Sequence, residues 1–249
     1  MAPVLLLPPS EGKRPGGTRP WELGSGTFPQ LATRRRTVAE ALAAAMADPL
    51  LAAKLTGVQG RRHLEALHGN RSICGGPTLP AWKRYSGVVW EHLQPASLGA
   101  AARRRAARIV VVSAVGGLFA FGDPVPDYKL KMGANLPPLD VLSRFWQPAI
   151  GEALLRHAGK APIVDLLPDE HRRALPPEVT RVYVEFRTAS GRAGGHDAKA
   201  AKGRFARHLL EHGGRPQDAG ASFRWKGWVG TVDDSRIITI TAASRPPVS

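Results

Sequence analysis

The sequence has one cysteine, Cys74, few aromatic residues and no long apolar run. A single cysteine excludes an internal disulfide and a cysteine-based zinc site, because each needs several thiolates. No segment approaches the ~20 apolar residues that cross a bilayer, and the apolar run at residues 4–7 is too short for a signal-peptide core. We therefore expect a cytoplasmic protein that does not contact a membrane.

Acidic residues are also scarce. The 249 residues include 35 lysines and arginines against 20 acidic residues, a net charge of +15. Such a bias favours polyanionic partners, either nucleic acid or a phosphorylated small molecule. The alternative is that arginine in an Ala-, Gly- and Pro-rich chain reflects GC-rich coding. A hydrophobic content of 43% is sufficient for one globular domain over residues 1–249.

Apolar periodicity and turn residues predict alternating strands and helices. We expect strands at 4–7, 109–112, 129–132, 163–166, 179–186 and 236–241, and helices within 30–55 (two), 63–68, 82–93, 97–107 (capped by Ser97), 139–157 and 196–212. Residues 14–29 and 114–127 are predicted to be loops, the first with freedom to move, and 243–249 a tail. The irregular alternation favours an α/β or α+β domain whose mixed sheet is flanked by helices.

The loop at residues 8–13 follows the first strand and brings together Ser10, Glu11, Gly12 and Lys13. A hydroxyl, a carboxylate and an ammonium at a strand end can bind phosphate or pair an acid with a base. The loop does not match a phosphate-binding P-loop, because Leu7 and Arg14 stand where that motif has glycine and Ser or Thr. The alternative is a solvated turn with a local ion pair.

The helix at 196–212 has an apolar stripe with Lys202 at its edge, followed around the helix by Lys199, Gly203 and Arg207. Gly203 would let a phosphate approach the backbone between cations. Partial burial would lower the pKa of Lys202 and make it a base or nucleophile. An ordinary solvated basic face is the alternative.

Asp123, Tyr128 and Lys129 lie in a Gly- and Pro-rich segment after the strand at 109–112, where the backbone can shape a pocket. Asp123 precedes Pro124 and can equally be a turn residue. Acidic residues at 169–170 are typical of a helix start rather than a metal site. We expect neither a metal nor another cofactor.

Four blocks of sequence resemble the YaaA, or peroxide stress protein, family. Residues 8–13 are similar to its actinobacterial N-terminal block, and Tyr85-Ser86-Gly87 to its Tyr-x-Gly-x-x-Tyr helix. Residues 113–133 follow its pattern from Ser113 to Gly133. The last block, Ala198-Lys199 with Lys202-Gly203, resembles the family's Ala-Lys-x-x-Arg-Gly helix.

The resemblance implies a mixed α/β fold with a positively charged cleft, a helix-hairpin-helix-like element, DNA binding and protection against hydrogen peroxide. The chain departs from the pattern at Ala114, Gly116 and the pair Ala120-Phe121, and has lysine for arginine at positions 129 and 202. A lysine keeps the charge of arginine but loses its bidentate geometry.

Two hypotheses use the same residues. In the first, the cleft binds DNA phosphates through Lys13, Lys129, Lys199, Lys202 and Arg207, with Ser10, Tyr85, Ser113 and Gly203 completing the ligand site. In the second, the protein is an enzyme of specialised metabolism acting on a nucleobase, nucleotide or phosphorylated small molecule. Its catalytic residues would be Lys199 or Lys202 as base or nucleophile, Glu11 or Asp123 as acid–base partner, and Tyr128 as proton donor.

Overall fold

A computed structural model describes residues 1–188, 191–192, 194–233 and 237–242. The predicted tail at 243–249 and Arg236 lie outside the described residues. The described helices are α1 (Ala32–Ala45), α2 (Pro49–Thr56), α3 (Gly60–Arg71), α4 (Ala81–Arg84), α5 (Val88–Leu93), α6 (Ala100–Ala106), α7 (Leu142–Ala158), α8 (Asp169–Arg172), α9 (Gly195–His212) and α10 (Pro216–Ser222).

The described strands are β1 (Val4–Leu7), β2 (Arg19–Pro20), β3 (Pro77–Pro80), β4 (Ile109–Ser113), β5 (Gly117–Ala120), β6 (Pro124–Pro126), β7 (Ile163–Asp165), β8 (Val182–Thr188), β9 (Gly191–Arg192), β10 (Arg224–Trp225), β11 (Trp228–Val232) and β12 (Ile237–Ala242). Short 3₁₀ turns occupy Pro29–Leu31 and Pro95–Ser97.

The main sheet is mixed, which confirms the predicted fold class. Its nine described strands run in the order β10-β11-β12-β8-β7-β1-β4-β5, with β9 beside β8. The neighbours from β12 to β4 are parallel, whereas both ends of the sheet are antiparallel. A second sheet of three strands, β2-β3-β6, is antiparallel.

Strands β1 and β4 form the centre of the core. Every residue of both strands is buried, and Leu6 pairs with Val110 in parallel register. Parallel strands covered on both faces are apolar throughout, which is why both were recognisable in the sequence. No helix in the described part of the chain is long and apolar enough to cross a membrane.

The segment at 114–127, predicted to be a loop, contains β5 and β6. Gly117 has a φ of +68°, which permits a tight reversal, and β5 therefore returns antiparallel to β4. Three proline-containing strands form the small sheet, in which β2 belongs to the segment 14–29. That segment is otherwise irregular, as predicted.

Two other local predictions were wrong. Residues 129–132 form no strand, because the backbone of Lys129 bonds to the side chain of Asn70: its N–H donates to Oδ1 and its carbonyl oxygen accepts from Nδ2, both at 2.9 Å. Ser97 does not cap the next helix. It ends a 3₁₀ turn begun by Pro95, and Gly99 is the N-cap of α6.

Helix α9 packs closely on α5 at Gly203. A Cβ added there would lie 2.2 Å from the carbonyl oxygen of Val89 and 2.8 Å from the Cβ of His92. The absence of a side chain therefore serves contact between the helices. The approach of a phosphate that the sequence suggested at Gly203 is blocked by α5.

We predict that Gly203→Ala lowers the free energy of unfolding by about 1–3 kcal/mol, since overpacking outweighs the gain in helix propensity. Urea unfolding followed by circular dichroism measures this change. Gly122→Ala is the matched control, because a Cβ at Gly122 meets no atom within 4 Å. Equal stability of the two variants would contradict close packing at Gly203.

Candidate functional site

The carboxyl ends of β1, β4 and β7 meet at one edge of the main sheet because these strands are parallel. The loop at 8–13 follows β1, Ser113 ends β4, and Asp165 ends β7. Ligand sites in open α/β sheets commonly lie at this edge. Most of the sequence-predicted site residues gather here.

Ser10 fixes the loop after β1. Its Oγ accepts a hydrogen bond from the N–H of Ser86 at 3.0 Å and donates to the carbonyl oxygen of Gly12. The indole N–H of Trp90 donates to the carbonyl oxygen of Pro8 at 3.2 Å. The buried Ser10 hydroxyl thus fixes the backbone of the loop at residues 8–13 against Ser86.

Lys13 is half-buried at the end of this loop. Its Nζ donates to the carbonyl oxygen of Ser10 at 3.1 Å and lies 4.0 Å from the centre of the Tyr128 ring and 5.9 Å from that of Tyr85. Burial lowers the pKa of Lys13 to about 7, although the charge of Asp127 opposes the shift. A large fraction of this amine is therefore neutral near pH 7.

Three predicted residues form a buried chain of hydroxyl groups behind Lys13. The Tyr128 hydroxyl lies 2.7 Å from Ser113 Oγ and 3.2 Å from the Tyr85 hydroxyl. Burial raises the pKa of Tyr128 to about 12 and also raises that of Tyr85. Both phenols therefore stay protonated. The hydrogen bonds among these hydroxyl groups fix the two aromatic rings next to Nζ of Lys13.

Glu11 lies on the exposed side of the same loop. Its carboxylate is 3.5 Å from Nζ of Lys129. The charge of Lys129, followed by smaller contributions from Lys131 and Lys199, lowers the pKa of Glu11 below its ordinary value. The structure thus brings Glu11 and Lys129 together and places further lysines within electrostatic reach.

An open hollow of about 650 Å³ adjoins this cluster. Lys13, Arg84, Asp127, Tyr128 and Lys129 line one part of it. The other part is lined by Val58, Arg62, Glu65 and neighbouring residues of the α2–α3 hairpin. A smaller hollow of about 130 Å³ shares Glu11, Lys13 and Lys129 with it and extends to Glu170 and His171.

Lys199 and Lys202 lie at a separate hollow of about 230 Å³ between helix α9, the middle of β8 and the segment that follows β7. Nζ of Lys202 is 5.5 Å from the centre of the Phe186 ring. Burial, followed by the charge of Arg172, lowers the pKa of Lys202 to about 8. This agrees with the partial desolvation predicted from its place beside the apolar stripe.

Arg172 connects this hollow to the core. Its Nε donates to the fully buried carboxylate of Asp165 at 2.8 Å, and a second nitrogen is 3.0 Å from Asp169. Asp165 also accepts from the N–H of Leu167 at 2.9 Å. A buried charge needs such partners, so Asp165 fixes both the guanidinium and the chain after β7.

Asp123 and Arg207 bind protein groups rather than lining a hollow. The carboxylate of Asp123 accepts from Thr27 N and Oγ1 and from Ala120 N, at 2.8–2.9 Å, and so ties the segment 14–29 to β5. Arg207 donates to the carbonyl oxygens of Leu93, Gln94 and Ser97 at 3.1–3.2 Å. Asp123 therefore fixes the segment 14–29, and Arg207 fixes the turn after α5.

Sequence reasoning predicted helices within 30–55 and at 63–68 but did not assign the hairpin between α2 and α3 to the site, and it missed Arg84. Gly57 and Gly60 have φ of +60° and +58°, and they reverse the chain between the two helices. Two glycines three residues apart between helical segments could have identified it. Arg84 had no local signal, because its partners are the carbonyl oxygens of Arg14, Gly16, Pro77 and Val125.

Comparison with known proteins shows similarity over nearly the whole chain. The model of the family described as "Peroxide stress protein YaaA" matches residues 4–231. A UPF0246 protein of Streptomyces coelicolor is 34% identical over 225 residues, which cover 86% of this chain and 85% of that protein. A UPF0246 protein of Corynebacterium glutamicum is 33% identical over 214 residues, with 83% and 84% covered.

A UPF0246 protein of a Ruegeria species is 29% identical over 176 residues, which cover 65% of this chain and 69% of that protein. The matched residues 4–231 include the loop after β1, the α2–α3 hairpin and helix α9. The similarity therefore extends over every segment that lines the hollows described above.

We predict that labelling of Lys13 by a limiting amine-specific reagent accelerates as the pH rises through about 7 and then levels off. The reason is that only the free amine reacts, whereas an ordinary lysine titrates near ~10.4. Peptide mass spectrometry after labelling at pH 5–10 gives the profile, with the exposed Lys160 as reference. Identical profiles at the two lysines would disprove the lowered pKa.

Proposed function

Because the chain belongs to the YaaA family of peroxide stress proteins, which includes the UPF0246 proteins, we propose that it binds DNA in the response to peroxide. The contacts are made to phosphate groups along the sheet edge and the α2–α3 hairpin. The observation that supports this proposal is that the α2–α3 hairpin lines the 650 Å³ hollow together with Lys13 and Lys129, while Lys131 lies beside the turn of the hairpin at Gly57.

The hairpin presents backbone N–H groups to solvent. Helix α3 begins at Gly60, and its N-cap residue Gln59 makes no side-chain capping bond. The first N–H groups of a helix lack partners within the helix and bind phosphate oxygens readily. Arg62 adds positive charge in the same turn, whereas Arg61 forms an ion pair with Glu65 at 2.9 Å.

Lysines continue this surface from the hairpin to the loop after β1. A Cβ at Gly57 would lie 3.9 Å from Nζ of Lys131, so the ammonium is next to the turn of the hairpin. Lys129 follows at the edge of the hollow, where it pairs with Glu11. Main-chain N–H groups and lysines on one surface suit contact with phosphates, which gives affinity with little sequence discrimination.

We predict that Lys131→Ala weakens duplex binding several-fold in low salt and reduces the slope of log K against log salt by about 1. Fluorescence anisotropy at ~50–200 mM salt measures both quantities. Lys160→Ala is the matched control, because Lys160 is exposed in the turn before β7, at the opposite end of that strand from the sheet edge where the site lies. Equal loss in both variants would indicate only a bulk charge effect and would refute the proposed surface.

A second candidate function is catalysis on a phosphorylated small molecule in the hollow beside α9. The observation that favours it is the combination of Lys202, whose pKa is lowered to about 8, with Lys199 and Arg172 around 230 Å³ of space. The neutral amine of Lys202 would act as base or nucleophile while the other cations hold the phosphate.

We predict under this second candidate that one nucleotide or sugar phosphate raises the melting temperature of the protein, with a stabilisation of about 2.7 kcal/mol at 100 times its Kd. Lys199→Ala should weaken that ligand, whereas Lys160→Ala should not. A panel of nucleosides, nucleotides and sugar phosphates tests this by thermal shift. If no compound of the panel raises the melting temperature of the protein, this second function is rejected.

A further inference from the structure

Lys13 differs from the lysines that we assign to phosphate contacts. Its ammonium is turned inward, onto the carbonyl oxygen of Ser10 and the face of the Tyr128 ring. Lys131, in contrast, is exposed beside Gly57. Lys13 nevertheless lines both the 650 Å³ hollow and the smaller one next to it.

The environment of Lys13 favours a reactive amine. Loss of solvent lowers its pKa, and Lys129 and Arg84 contribute in the same direction, while Asp127 and Glu11 oppose them. A free amine held in one place by surrounding groups is a nucleophile towards carbonyl carbon. The phenols of Tyr85 and Tyr128 stay protonated and do not compete as nucleophiles.

The hollow connects this amine to the proposed DNA surface. Val58 and Arg62 of the hairpin line the same space as Lys13. A nucleotide of a strand held at the hairpin would enter the hollow only when it leaves the helical stack. Extrusion costs least for a nucleotide that has lost its base, and such an abasic nucleotide carries an aldehyde when its sugar ring opens.

We propose that Lys13 forms an imine with the C1′ aldehyde of an abasic nucleotide in DNA bound at this hollow. This inference rests on the proposed function, because the hairpin must first hold the DNA strand. It adds to phosphate binding a reversible covalent capture of one kind of damaged nucleotide.

The reaction is a condensation without oxidation or reduction. The lone pair of Lys13 Nζ forms a bond to C1′, and the electrons of the C=O π bond move to the oxygen, which gains a proton. The nitrogen loses one of its protons as the carbinolamine forms. The hydroxyl group then takes up a second proton and leaves as water while the C=N bond forms, and loss of the remaining N–H proton gives the neutral imine. Water reverses the reaction and releases both the amine and the aldehyde.

The experiment is reductive trapping with borohydride, which converts an imine into a stable amine. The wild-type protein is incubated with a labelled duplex containing one abasic site, and the crosslinked product is separated by denaturing electrophoresis. Binding of an intact duplex of the same sequence is measured in parallel by anisotropy. We expect a crosslink to the abasic duplex, and mass spectrometry of its peptides should identify Lys13 as the attachment point.

Lys13→Arg should reduce trapping about tenfold or more at saturating protein concentration, because a guanidinium is always charged and forms no such imine. Lys160→Arg is the matched control and should trap as well as the wild type. Circular dichroism of each variant shows whether it is folded. If Lys13→Arg does not fold, the attachment point in the wild-type crosslink decides the question.

Three results would overturn the inference. One is intact-duplex binding without any crosslink, which would leave the proposed function standing. Another is a crosslink that Lys202→Arg abolishes and Lys13→Arg does not. The third is equally efficient trapping of free 2-deoxyribose 5-phosphate, which would show that the DNA strand is not needed. Absence of binding to every duplex would instead refute the proposed function, and the inference with it.

Discussion

Two buried guanidinium groups hold the irregular part of this protein against its sheet. Arg35 donates to the carbonyl oxygens of Leu23, Ser25, Gly116 and Leu118 at 2.8–3.1 Å. Arg84 does the same for Arg14, Gly16, Pro77 and Val125. A buried cation is costly unless each of its protons finds an acceptor, so these carbonyl groups are fixed in place. These hydrogen bonds fix the backbone of the segment 14–29. Arg84 also lines the same hollow as Lys13.

The site separates two kinds of lysine by their surroundings. Lys131 is exposed, and Lys129, whose side chain is 21% exposed, pairs with the carboxylate of Glu11 at 3.5 Å. Burial lowers the pKa of Lys13 and that of Lys202. Lysine therefore supplies, at the hollows along this sheet edge, both cations that attract anionic ligands and amines that are partly neutral. The sequence alone suggested the second property for Lys202, because of the apolar stripe beside it, and did not suggest it for Lys13.

The pattern of apolar residues was sufficient to predict β1, β4 and β7, which are buried throughout, and α9, which has one buried face. It failed for β5 because the reversal at Gly117 lies in a Gly- and Pro-rich stretch that is typical of a loop, and for β6 because its partner β3 lies far earlier in the chain. The same limit applied to the site. Lys129 and Glu11 could be named individually, but the pairing of Asn70 with the Lys129 backbone joins positions 59 residues apart. Asp123 and Gly203 are of residue types that suit a ligand site, but both serve the fold. Asp123 accepts hydrogen bonds from Thr27, and Gly203 packs against α5.

Strand β12 lies between β8 and β11 although both of them precede it in the chain. During synthesis on the ribosome, β8 therefore emerges before the neighbour that it needs along residues 183–187, where it pairs with 237–241. Until β12 arrives, one edge of β8 has unpaired backbone groups, and such edges invite association with other chains. Completion of the sheet, and with it the hollow bordered by β8 and α9, is consequently a late event in the life of each molecule.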